Sequence, residues 1–122
     1  MYEGVIAKGI ERLTERFGWE WVEWVDWEIL RMDCYTKCVA GQIGTRLDAD
    51  SYYYSTLRSL DVEFAEEFGF DVPTADLIPL PDQSDDERYE EVFGALTEEW
   101  KNAVTALRAE WESSPVLAVS GK

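Results

Sequence analysis

Histidine is absent from this 122-residue sequence, and only two cysteines, four prolines and 11 lysines and arginines occur in it. Each shortage removes a class of reading. Without histidine there is no imidazole to act as general base or as zinc ligand. Two cysteines fall short of a structural zinc site, which takes four ligands, unless carboxylates or a second chain supply the rest. So few bases against 26 aspartates and glutamates leave a net charge of −15 at pH 7. A surface of that sign repels DNA, RNA and anionic membranes, whose binding depends on Lys and Arg meeting phosphate. No apolar run approaches the roughly 20 residues of a membrane span, and no basic segment leads into an apolar one as in a secretory leader. The expectation is a cytoplasmic chain with reduced thiols. Catalytic signatures are missing as well. There is no glycine-rich phosphate loop with its lysine and no nucleophile elbow, and Asp82–Glu87 lacks the alternating ligands of an EF-hand. These gaps argue against an enzyme, and no cofactor or metal is expected.

What is present is apolar material for one core: 46% of the residues are hydrophobic and 30% charged, which excludes a disordered chain. The pattern predicts an all-α, compact single domain over 1–122, of about five helices with a long amphipathic C-terminal helix. Within it, 1–70 reads as an N-terminal helical part, 71–86 as an extended Pro- and Asp-rich connection, 87–112 as the long helix and 113–122 as a fraying tail. The first helix spans 3–17, with Val5, Ile6, Ile10, Leu13 and Phe17 at helical spacing and Gly18 as its stop. The tryptophan-rich stretch 19–30 reads as an irregular lead-in followed by a short helical turn from Asp26. Asp33 is positioned to cap a helix through Cys34, Cys38, Val39 and Ile43 to Gly44. A loop over 45–50 follows, then a helix opened by Ser51 through Tyr53, Tyr54, Leu57 and Leu60. A short helix after Asp61 turns Val62, Ala65 and Phe68 inward and stops at Gly69, and Phe70 and Val72 fold back onto the core. The last helix carries a capping box, Ser84 with Glu87. Tyr89, Val92, Phe93, Leu96, Trp100, Ala103, Val104, Leu107 and Trp111 make its apolar stripe.

Two features stand out from this background. Cys34 and Cys38, at i and i+4 of the expected helix, share one face; packed core cysteines are the favoured reading, with a metal or thiol-pair role as the alternative. The six tryptophans are the second. Trp100 and Trp111 fall on the apolar stripe, whereas Trp19, Trp21, Trp24 and Trp27 crowd a segment too short to bury them all on one face. At least one is expected at the surface, where tryptophan anchors partners. The acidic run Asp82, Asp85, Asp86, Glu87, Glu90 and Glu91 is the other candidate surface, read either as a face for a basic partner or as solubilising charge.

The ordered short motifs Gly18-Trp19, Val25-Asp26, Leu30, Met32, Cys38-Val39-Ala40-Gly41-Gln42 and Gly69-Phe70-Asp71 resemble a family of small uncharacterised proteins. That family is common in tailed phages and prophages of actinobacteria. The likeness covers roughly residues 5–71, with Ala40 where the family usually has leucine. It implies action in a bacterial host cytoplasm and nothing catalytic. Three roles follow: a module binding a basic or nucleic-acid-binding host protein, with nucleic-acid mimicry as its sharper form; a structural component that oligomerises; and a metal or redox protein using Cys34 and Cys38.

Overall fold

A computed structural model describes residues 2–48 and 53–113, with side chains described up to residue 110. The regular structure of the described residues is all helical. Helices α1 (Glu3–Phe17), α2 (Trp21–Trp24), α3 (Val39–Leu47), α4 (Tyr53–Ser59) and α5 (Asp85–Ser113) are joined by 3-10 turns at Ala65–Phe68 and Thr74–Leu77. Among the described residues no helix is long and apolar enough to cross a membrane. The expected helix start at Ser51, the Trp111 end of the stripe and the tail after 113 lie outside the described residues and side chains.

α1 and α5 form where their apolar spacing predicts them. Ile6 and Leu13 of α1 are buried, as are Val92, Phe93, Leu96, Trp100 and Val104 of α5. At the start of α5 the Glu87 N–H donates to Ser84 Oγ at 3.2 Å, while Ser84 N–H reaches back to Glu87 Oε1 at 3.4 Å. That reciprocal pair satisfies donors a helix N-terminus leaves open. Of the two glycines in α1, Gly9 leaves no room for a side chain, because a Cβ there would collide with the Phe68 carbonyl and press on the Trp100 ring. This close approach is what seats the Ala65–Phe68 turn on α1. Gly69 then takes φ +74°, a left-handed conformation natural to glycine. Its carbonyl accepts the Trp100 indole N–H at 2.5 Å, and Phe70 stacks on Trp100 at 5.8 Å between centroids.

Four local expectations are corrected. The tryptophan segment opens with a helical turn, Trp21–Trp24, that extended Val25 ends, and from Asp26 the chain makes hydrogen-bonded turns rather than helix, Ile29 N–H reaching the Asp26 carbonyl at 3.3 Å. α3 begins at Val39, with Cys38 rather than Asp33 as its cap: Cys38 Sγ accepts the Gly41 N–H at 3.2 Å. Asp33 is engaged elsewhere, with Arg31, so the two cysteines do not share a helical face. α3 also runs to Leu47 instead of stopping at Gly44, with Thr45 Oγ1 donating to the Gly41 carbonyl at 2.9 Å. Finally, the 71–86 connection is not simply extended. Asp76 in its 3-10 turn accepts the Tyr2 hydroxyl at 2.9 Å, and its carbonyl accepts Arg88 Nε at 2.8 Å, which ties the connection to both ends of the fold.

Candidate functional site

Between α2 and α3 the chain folds into successive turns: Cys34 N–H donates to the Arg31 carbonyl at 3.2 Å and Cys38 N–H to the Cys34 carbonyl at 2.9 Å. Three helices hold this loop. Met32 N–H donates to Thr97 Oγ1 of α5 at 3.0 Å. The Tyr35 carbonyl accepts Tyr53 N–H of α4 at 3.2 Å. Gly41 of α3 lies against that same carbonyl, in the space a Cβ would need. Gln42 adds a clamp, donating to the carbonyls of Lys37 at 2.9 Å and Asp26 at 3.2 Å. Tyr35 is therefore exposed on an anchored backbone.

Its ring stacks on Tyr53 at 5.3 Å and tilts against Tyr54 at 5.5 Å. Across from them α5 presents Tyr89 and Phe93, 4.6 Å apart. The turn at Gly69 delivers buried Phe70 and half-buried Asp71 to the same place. With Met32, Asp33 and Leu77 these residues line a partly enclosed recess of about 170 Å³. Five aromatic residues and two carboxylates thus meet in one hollow.

The electrostatics of the recess have one sign. Burial raises the Asp71 carboxyl above its ordinary value, and nearby Glu66 adds to the shift. Burial likewise raises the Tyr53 phenol, with Asp71 contributing, and the Tyr89 phenol, with Asp33 and Asp71 contributing. Phenolate formation is opposed there by both low polarity and standing negative charge. Of the two, the standing negative charge of Asp33 and Asp71 is what favours a cation over an anion. Asp33 is forked by Arg31, whose Nε lies 3.3 Å from Oδ1 and whose terminal nitrogen lies 3.1 Å from Oδ2. Asp71 Oδ1 accepts the N–H of Val72 at 2.8 Å, and no Lys or Arg bridges to Asp71 among the described residues. A second, more open groove of about 280 Å³ adjoins the recess, sharing Asp33 and Phe93 and crossing Gly94 between Glu90, Glu98 and Lys101.

The residues singled out from the sequence go elsewhere. Trp21 is fully buried and donates its indole N–H to Thr14 Oγ1 at 3.0 Å, so it cannot anchor a partner. Trp24 is half-buried, edge-on to Phe17 at 5.8 Å. Trp19 and Trp27 are exposed, at 37% and 39%, and neither lines the recess. Asp82, Asp85, Asp86, Glu87, Glu90 and Glu91 are all exposed. Glu87 caps α5, and Glu91 accepts from Arg88 at 3.1 Å and from Gln83 at 2.5 Å. Only Glu90 of that run reaches the groove beside the recess. Tyr35, Tyr53, Tyr89, Asp33 and Asp71 were not candidates; six tyrosines in 122 residues were the available signal. The recess draws on segments far apart in the chain, so no local motif announces it.

The cysteines divide. Cys38 is buried, its thiol pushed up to about 12 by burial. Half-buried Cys34 has its thiol lowered, first by the bond to Thr36 Oγ1 at 3.4 Å. Among the described residues no three His, Cys, Asp or Glu side chains converge as metal ligands. No protein-family model, curated protein or solved structure matches this chain.

Proposed function

We propose that this protein is a non-enzymatic module that binds a basic protein by accepting a cationic side chain in the recess between Tyr35, Tyr53 and Tyr89. The observation that carries this reading is Asp71, a carboxylate half-buried among aromatic rings with no bridging Lys or Arg among the described residues. A carboxylate so placed is costly unless paired. Ring faces attract cations, by about 2 kcal/mol or more where water is excluded. An entering cation answers both conditions. The net charge of −15 supplies long-range attraction toward a basic surface. The resemblance to phage-encoded proteins supports a host protein of the bacterial cytoplasm as the partner. Nucleic-acid mimicry by the 82–91 run draws less support, because Glu87 and Glu91 are already held by the chain itself.

The test is titration of a labelled basic peptide, containing both Lys and Arg, with wild type, Asp71→Asn and Asp82→Asn. Both variants remove one negative charge, but only the first lies in the recess. Asp71→Asn should weaken binding about tenfold, the equivalent of about 1.4 kcal/mol, and Asp82→Asn less than about twofold. Equal losses in the two variants would reduce the interaction to general charge and remove the recess from it.

A further inference from the structure

A protein partner has two permanently useful cations to offer, the guanidinium of arginine and the ammonium of lysine. Which of them suits the recess depends on what its two carboxylates have left to give. This inference rests on the reading of the recess as a cation site. A guanidinium carries five N–H donors in one rigid plane, and a carboxylate matches it by presenting both oxygens side by side. The recess has no such fork open. The two oxygens of Asp33 already face Arg31, at 3.3 Å and 3.1 Å. On Asp71, Oδ1 is turned to the N–H of Val72 at 2.8 Å. A guanidinium entering here would have to share oxygens that Arg31 and the Val72 N–H already engage, so it would not gain an unshared bidentate pair.

An ammonium makes a different demand. It is a compact charge on a slim, unbranched stem and needs no planar partner. Asp71 offers it an acceptor, and the rings of Tyr35, Tyr53, Tyr89 and Phe93 line the space around it. Met32, Phe70 and Leu77 supply apolar wall for the methylenes. We infer that the recess is a lysine pocket, which takes the ε-ammonium of a partner's lysine against Asp71 and disfavours arginine because Arg31 already occupies the fork of Asp33.

The experiment compares two peptides identical except that every lysine in one is arginine in the other, each titrated with wild type, Arg31→Ala and Asp71→Asn. Wild type should prefer the lysine peptide by about tenfold. Arg31→Ala frees the fork of Asp33, so the arginine peptide should gain and the preference should shrink. A change that merely disturbed the fold would weaken both peptides together. A wild type that binds the two equally, or arginine better, with both still weakened by Asp71→Asn, would overturn the lysine assignment and leave the cation site standing. Insensitivity of both peptides to Asp71→Asn would remove the cation site itself. Free n-butylammonium serves as a third probe. It should compete only weakly, and binding as tight as the peptide's would assign the pocket to a small amine rather than to a protein's lysine.

Discussion

Asp71 is one of 26 acidic residues, and the Gly69-Phe70-Asp71 motif around it points to no binding role. Its environment comes from the turn at Gly69, which buries Phe70 and leaves Asp71 half inside the recess. Because burial raises its folded-state pKa, the native state holds the proton more tightly than the unfolded chain does. Asp71 therefore favours folding when protonated, and that advantage is lost as pH rises through the raised value. Asp71→Asn should melt higher than wild type at neutral pH. The gap should close as the pH falls below the ordinary carboxyl value of 3.8. Thermal unfolding at several pH values, with exposed Asp82→Asn as the charge control, checks this; a gap that ignores pH contradicts it. Cys38 is a second residue whose role lies in its contacts. Loss of its cap and burial predicts a cost of about 1–2 kcal/mol for Cys38→Ala, while Cys34→Ala should stay within about 0.5 kcal/mol. Denaturant titration of the two variants separates them. The sequence places both thiols on one helix; the distinction between a buried capping thiol and a half-exposed one needed the turns of the 31–38 loop.

α5 is the most legible element, since its capping box and apolar stripe are local: the box forms, and the stripe is buried at Val92, Phe93, Leu96, Trp100 and Val104, while Tyr89 at its start is exposed. Burial along it is graded, however. Leu96 is fully buried and Leu107 only half-buried, so Leu96→Ala should cost about 2–5 kcal/mol and Leu107→Ala clearly less. Gly94 sits mid-helix with nothing near the position a Cβ would take. Gly94→Ala should therefore stabilise the protein by about 1 kcal/mol, seen as a higher denaturation midpoint. Gly9→Ala in α1 should do the opposite, because the Phe68 backbone occupies that space. The same helix-interior glycine thus gives opposite signs for reasons that spacing alone does not reveal. The helix expected to start at Cys34 begins only at Val39, and 34–38 is loop, for a related reason. The geometry of the 31–38 loop is imposed by Thr97, Tyr53 and Gln42, all distant in sequence, and those bonds override the local capping preference of Asp33.

A net charge of −15 acts on the molecule as one field, and the sequence alone was enough to state its sign. Association with a basic partner should consequently slow as salt rises, because exposed charges are screened beyond about 10 Å at 0.1 M salt. Where the partner touches was not readable from the sequence. Tryptophan counts and the acidic run are visible in the sequence, whereas the recess exists only once five separate stretches of chain meet. The most direct measurement is amide chemical-shift mapping by NMR of the intact protein during titration with a lysine-containing peptide. The account predicts the largest shifts at Met32–Tyr35, Tyr53, Phe70–Asp71 and Tyr89–Phe93, reached in Asp71→Asn only at about tenfold more peptide. Shifts gathered instead around Trp19 and Trp27, or along Asp82–Glu91 with the recess unmoved, would contradict it.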